Sequence, residues 1–243
     1  MENMSFKDHI WFLGRSYLEY LAMFDLNEEY LRNQKILDCA SGASSFTPTL
    51  LNNGFDVKAV DILYDSDPEI LKDRCVNDFY TLLRVHSDLE HKVDWSFFQS
   101  SGEMIKDRVM VYHKFIEDYK KRKGENYINA KLPILPFDNE QFTLVLCSHL
   151  LFLYEDRLNY QFHRESIKEM LRVTSDEVRI YPLVTLRGKG KISSFLNRII
   201  IDLDCTAEFN IIPVEYNFRK GGNYMLKITK KSEQNNGFQP STK

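Results

Sequence analysis

The sequence is sparing with the residues that would give it an obvious chemical signature. Its four cysteines, Cys39, Cys75, Cys147 and Cys205, are widely separated and form no CxxC pair. That excludes a disulfide framework and a zinc knuckle, and it suits a reducing cytoplasm as the compartment. Charge of one sign is also lacking: 32 Lys+Arg against 35 Asp+Glu leave a formal net charge of −3. A general nucleic-acid or membrane-surface binder would carry a larger basic excess, although a local basic patch is still allowed. The longest apolar run, Leu144 to Tyr154, is broken by Ser148 and His149 and is too short to span a bilayer. The opening residues, MENMSFKDHIWFLG, lack the apolar centre of a signal peptide. Glycine is scarce as well, at ten residues, and it is thin where a dinucleotide site would need it most.

That place is the stretch KILDCASGASSFTPTLLNNGFDVKAVD, Lys35 to Asp61. Ile36-Leu37 lead into Asp38, Cys39 and Ala40 as a short buried strand. A small-residue loop, Ser41 to Ser45, follows. Thr47-Pro48 predicts a helix start and Asn53-Gly54 its stop. Val57 to Val60 form a second strand closed by Asp61. Asp61 stands near the spacing, roughly 20 residues on, at which an acid meets ribose hydroxyls in such β-α-β units. A pyrophosphate needs three glycines for close backbone approach, and only Gly42 is present. S-adenosylmethionine has no phosphate, so one close approach suffices, and it is the expected ligand.

Helical spacing of apolar residues predicts an N-terminal helix over 6–26, with Arg15, Tyr17 and Tyr20 as its polar and aromatic handles. Arg15 is a candidate partner for the cofactor carboxylate, since a planar guanidinium suits that group. Between 64 and 125 the strand-helix alternation is suspended, and helices are expected over Leu71–Leu89 and Ser101–Lys123. So long an insertion above the strand ends is the expected lid and substrate-selecting part, although most of its aromatics fit a packed core equally well. Lys120-Lys121-Arg122-Lys123 could touch phosphates, but a solvated helix end explains the run too, and nucleic acid is the less favoured partner.

Further strands are predicted at Tyr127–Ala130, Phe142–Cys147 and Val178–Leu186, with helices over Phe162–Val173 and Gly190–Leu203. Phe209–Phe218 and Tyr224–Lys230 are strand-like and separated by five residues, too few for a parallel crossover, so they form an antiparallel hairpin. The expected fold is α/β. It is a Rossmann-like, seven-stranded and mostly parallel sheet ending in an antiparallel hairpin, with helices on both faces and a helical insertion after the second strand. One domain is expected over 1–231, followed by a polar, disordered tail over 232–243.

Together these pieces resemble the class I S-adenosylmethionine-dependent methyltransferases. LDCASG looks like their first motif and AVD like their second, while PFDNEQFTLVLCSHLLFLY is similar to their run through the fourth strand. GRSYLEYLAMF, CSHLLFLY, VRIYPLV and GGNYML look like a group of uncharacterised bacterial and archaeal members. The resemblance implies that Asp38, Ala40, Ser41 and Gly42 line the methionine moiety and that Asp61 accepts the ribose hydroxyls. It also implies cofactor contacts from Ile62 and Ser148. Asn129 and Ala130 fall where the family reads the adenine edge. His149, just past the fourth strand, is the candidate base, with a pKa suited to neutral pH; a histidine tied to backbone is the competing reading. Tyr154 and Glu155 are weaker candidates, and His163 and a paired Arg179 are structural. The expected activity is methyl transfer, to O or N of a small molecule, with no metal. The alternatives are an NAD(P)-dependent oxidoreductase and a catalytically silent cofactor-binding protein. The acceptor and the oligomeric state are not legible.

Overall fold

In a computed structural model, which describes residues 10–85 and 94–231, the chain forms a seven-stranded sheet with helices on both faces. The elements are α1 (Tyr17–Phe24), α2 (Glu28–Arg32), β1 (Lys35–Cys39), α3 (Phe46–Asn52), β2 (Asp56–Asp61), α4 (Pro68–Val85) and α5 (Ser101–Arg122). They continue with β3 (Tyr127–Asn129), β4 (Phe142–Ser148), α6 (Tyr160–Val173), β5 (Thr174–Tyr181), α7 (Leu196–Leu203), β6 (Ala207–Pro213) and β7 (Tyr224–Lys230). The strand order is β3-β2-β1-β4-β5-β7-β6. All pairings are parallel except those of β7, which runs antiparallel to both β5 and β6. The expected fold class and its reversed hairpin are therefore present. Among the described residues no helix is long and apolar enough to cross a membrane.

Alternation along the strands assigns the two layers. Leu37 and Cys39 of β1, with Val145 and Cys147 of β4, pack under Ile167 and Met170 of α6 and Leu196 and Ile199 of α7. Ile36, Leu144 and Leu146 point the other way, to Tyr20, Met23 and Phe24 of α1 and Phe46 and Leu50 of α3. A third cluster joins α4 and α5 to the β2–β3 edge through Tyr64, Leu71, Phe115, Tyr119 and Tyr127. Most aromatics of the insertion are thus core, stacked or edge-to-face at 5.4–5.8 Å. The basic run at the end of α5 is engaged by its own chain. Lys120 meets Glu69 at 2.9 Å, Arg122 pairs with Asp118, and Lys123 Nζ donates to the Asp65 and Ser66 carbonyls.

Several boundaries differ from the sequence expectation. The N-terminal helix starts at Tyr17, because Ser16 and Glu19 close a capping box there, and residues 10–16 run as a strap without regular secondary structure. α3 begins at Phe46, before Thr47-Pro48; Pro48 is still in the first turn, where N–H groups have no helical partner. β5 stops at Tyr181, since Pro182 has no N–H for the ladder. The predicted helix from Gly190 is real only from Leu196, and β6 ends at Pro213. The short helix α2 was not anticipated. The predicted tail from Ser232, residues 6–9 of the predicted first helix and residues 86–89 of the predicted insertion helix lie outside the described residues.

Candidate functional site

The order β2-β1-β4-β5 makes the chain leave β1 toward one edge of the sheet and β4 toward the other. The turns after β1 and β4 therefore part, opening a crevice at the carboxyl ends of the strands. The first turn is held by its backbone. Ala40 and Gly42 have φ of 55° and 60°, the left-handed region that only glycine enters freely. Ser41 N–H donates to the Val60 carbonyl at 3.0 Å, and Gly42 N–H donates to Asp61 Oδ2 at 3.2 Å. The Tyr64 hydroxyl donates to the Gly42 carbonyl at 2.6 Å. A Cβ on Gly42 would stand 3.1 Å from the Leu13 carbonyl oxygen of the strap. Gly14 is tighter still, with the Ala43 carbonyl oxygen 2.1 Å from where its Cβ would be. The strap and the glycine loop thus make backbone contact that no side chain could share.

Asp61 lies half-buried at the end of β2. Its Oδ1 accepts from Leu63 N–H at 3.0 Å. Burial pushes its pKa up to about 6 against the opposing backbone donors of Leu63 and Gly42. A carboxylate has about four lone-pair directions, so two stay open for ribose hydroxyls. Ile62 beside it is 57% exposed, an apolar surface of the kind an adenine ring covers. Asn129 donates Nδ2 to the Ile62 carbonyl at 2.7 Å, leaving Oδ1 as an acceptor, and Ala130 follows it, half-buried. These residues fit an adenosyl ligand.

Two expected cofactor residues are placed differently. Asp38 is fully buried, and its carboxylate is turned down toward α1 and α3 rather than into the crevice. It accepts from Tyr20 at 3.0 Å, Ser41 Oγ at 2.6 Å and Thr47 Oγ1 at 3.2 Å. Burial pushes its pKa up to about 6, with those hydroxyls opposing. Its side chain is a floor beneath the loop, and a ligand would meet only the backbone above. Arg15 offers the loop only its carbonyl, which accepts Ser45 N–H at 3.0 Å. Its guanidinium lies over the Phe218 ring, 6.0 Å from the centroid, toward the β6–β7 connection.

The second turn carries the candidate base. His149 has φ of 54°, a strained value for a residue with a Cβ, of the sort that clusters at functional sites. Its N–H donates to the Tyr181 carbonyl at 2.7 Å, its ring packs edge-on to Tyr181, and Nδ1 lies 2.8 Å from Ser148 Oγ. Burial, reinforced by the charges of Arg15, Arg108 and Arg219, holds the imidazole well below its ordinary pKa, against the expectation of a value suited to neutral pH, and makes it a weaker base than a free histidine. The other candidates are tied down. Tyr154 OH accepts from Trp11 N–H, Glu155 accepts from Ser193 and Ser194, and His163 Nε2 accepts from Phe152 N–H. Arg179 pairs with Glu177 at 2.6 Å, as expected for a buried strand arginine.

Arg108, Glu19 and Arg219 were not singled out from the sequence. Arg108 and Glu19 are 89 positions apart and meet in two hydrogen bonds of 2.5 and 2.6 Å. The Ser16–Glu19 capping spacing is the sequence signal that could have drawn attention to Glu19, and the expectation of a helix over 6–26 did not use it. A cavity of about 840 Å³ lies elsewhere, on the outer side of α1 against α5, with Leu18, Leu21, Phe98 and Met110 in its walls.

The sheet order and the reversed β7 define a Rossmann-like α/β fold, a mostly parallel seven-stranded sheet closed by an antiparallel hairpin. An uncharacterized protein of Methanocaldococcus jannaschii is 38% identical over 229 residues, which is 94% of this chain and 99% of that protein. The chain belongs to that protein's family. No family model matches the sequence. Among solved structures, magnesium protoporphyrin IX methyltransferase of Synechocystis aligns at a TM-score of 0.47 and 11% identity, over 84% of this chain and 73% of that one. A SAM-dependent methyltransferase of Aquifex aeolicus aligns at 0.40 and 14%, over 87% and 92%. One from Methanosarcina mazei aligns at 0.44 and 12%, over 84% and 98%. At that distance none of them speaks for the chemistry of this chain.

Proposed function

We propose that the protein is an S-adenosylmethionine-dependent methyltransferase acting on O or N of a small molecule. The observation that carries this reading is the convergence of the Gly42 N–H and the Asp61 carboxylate, 3.2 Å apart, at the point where β1 and β4 diverge. Gly42 and Ala40 present backbone to the methionine part. Asp61 takes the ribose hydroxyls, Ile62 covers one adenine face, and Asn129 Oδ1 with Ala130 meets the adenine edge.

When bound, the cofactor supplies a methyl group on a positive sulfur, and the acceptor's lone pair takes it as the C–S electrons return to sulfur. So activated a group leaves the protein chiefly the work of alignment. Neutral His149, its Nδ1 held by Ser148, has Nε2 free among the described residues to take the acceptor's proton. The turn after β4 and the described helices of the insertion, α4 and α5, are read as the layer that orients the acceptor.

Calorimetry with S-adenosylmethionine and S-adenosylhomocysteine tests the cofactor. Ligand at a hundredfold its Kd stabilises by about 2.7 kcal/mol, a clear rise in Tm. Absence of both heat and shift sinks the reading. Labelled methyl transfer into fractionated cell extract separates an enzyme from a silent binder. His149→Ala is expected to lower turnover by about 10²-fold or more while leaving cofactor heat intact.

A further inference from the structure

The wall behind His149 carries more positive charge than the carboxylates of the described residues neutralise. Three guanidiniums converge there: Arg15 from the strap, Arg108 from α5 and Arg219 from the β6–β7 connection. Arg108 is matched twice over, by its two bonds to Glu19 and by Asp107 Oδ2 at 2.8 Å. Glu19 also accepts from the Tyr216 hydroxyl, and its Oε1 stays 3.9 Å from Arg15 Nε, beyond hydrogen-bond reach. Arg15 Nε is buried without a hydrogen-bond partner, and Nη1 reaches only the Gly14 carbonyl at 3.4 Å. Arg219 donates Nη1 to the Leu186 carbonyl at 2.7 Å, a neutral acceptor. Among the described residues it has no carboxylate within ion-pair distance. Burial, and then Arg15, hold its pKa down, with the Tyr154 and Tyr181 hydroxyls opposing.

The two cations share one surface. Arg15 lies over Phe218, the residue before Arg219. The Tyr181 hydroxyl bonds the Tyr216 carbonyl, and His149 packs on Tyr181 with centroids 5.4 Å apart. Three guanidiniums facing two carboxylates, Glu19 and Asp107, leave one positive charge over, and the cost of holding it half-buried falls when an anion joins it. A planar fork suits a carboxylate or a phosphate, each able to take two parallel N–H bonds.

We propose that Arg15 and Arg219 form an anion-recognition site beside His149, and that the methyl acceptor is a small molecule bearing a carboxylate or phosphate group held there. The word acceptor rests on the methyltransferase reading; the anion site itself does not. Seated this way, the anionic group fixes one end of the molecule and leaves its nucleophilic atom toward His149.

The test uses the full chain with S-adenosylhomocysteine, following the His149 imidazole resonances by NMR at constant ionic strength. Inorganic phosphate, acetate and methylammonium are titrated separately. Saturable movement is expected with phosphate or acetate and none with methylammonium; the tighter anion separates a phosphate ester from a carboxylic acid. Arg219→Met and Arg15→Met are each expected to weaken that binding tenfold or more, and Arg219→Met to leave the S-adenosylhomocysteine heat unchanged. Saturation that survives both substitutions overturns the proposal, as does the lack of saturation with either anion. If S-adenosylhomocysteine does not bind the unsubstituted chain, the methyltransferase reading fails by itself. The same titrations without it then still decide the arginine pair.

Discussion

Asp38 and Asp61 sit near the ends of adjacent parallel strands, and burial lifts both carboxyls to about 6. Their surroundings are opposite. Asp38 is enclosed by three side-chain hydroxyls and sees no solvent. Asp61 is held by two backbone N–H groups and keeps part of its surface open. Hydroxyls that close over a carboxylate leave it nothing to offer a ligand. Backbone donors gripping it from one side aim the remaining lone pairs outward. The same residue type therefore serves as floor in one strand and as rim in the next.

The floor also contains Glu19, and it offers the largest contrast. Burial pushes this carboxyl up, but the charges of Arg108 and Arg15 outweigh that and hold it below its ordinary value. Its stabilising contribution is present above the unfolded pKa and is lost as pH falls through the lower folded value. Glu19→Gln is expected to cost about 3–5 kcal/mol in urea unfolding at pH 7, because it removes the charge that the buried Arg108 grips with two bonds and leaves Asp107 as its carboxylate partner. A loss below 1 kcal/mol would remove Glu19 from the floor.

Asp61→Ala is expected to act on the ligand instead. Two hydrogen bonds to a charged group, at about 1.5–3 kcal/mol each, correspond to a loss of about 10²-fold or more in cofactor affinity by calorimetry, with a lower Tm from the Gly42 and Leu63 N–H groups it releases but a chain that still folds. If Asp61→Ala unfolded the chain while Asp38→Asn abolished binding, the floor and rim assignments would be reversed.

Asp38→Asn is expected to cost about 1–3 kcal/mol at pH 4.5, since the amide nitrogen cannot accept from the hydroxyls that the second carboxyl oxygen serves. That cost depends on pH. Asp38 binds its proton more tightly folded, near 6, than unfolded, near 3.9, so folding takes up a proton between those values. Its contribution is greatest below the unfolded pKa and falls as pH rises through 6. The penalty of Asn, measured by urea titration at several pH values, should therefore be larger at pH 4.5 than at pH 7.5. Gly42→Ala is the mildest expected change, about 1–2 kcal/mol of stability for a Cβ at φ 60°, with a further shift of the strap carbonyl at 3.1 Å. An unchanged Tm would show that the loop does not hold that conformation in solution.

The sheet was legible because buried parallel strands are written as continuous apolar runs, and β7 falls where its pattern ends. The hairpin followed from a connection too short to cross over. The strap was not legible, because Trp11 and its neighbours mimic a helical period and only the Ser16–Glu19 box marks the true start. Asp38 was legible as a residue of the first motif but not as floor. Its direction depends on alternation against Tyr20 and Thr47, which meet it through space. Arg15 and Arg219 became neighbours only when β7 inserted between β5 and β6, a placement no local pattern encodes.

The strap has a practical bearing on how the protein is handled. Phe12 N–H is anchored on Asp78 at 2.8 Å, Leu13 roofs Gly42, and Gly14 rests on Ala43. A chain trimmed to begin at Ser16 would therefore be a different object rather than a shorter copy, with its cradle unroofed and Asp78 of α4 deprived of the Phe12 N–H. Assays on material clipped there would report the naked turn, not the site the whole protein offers.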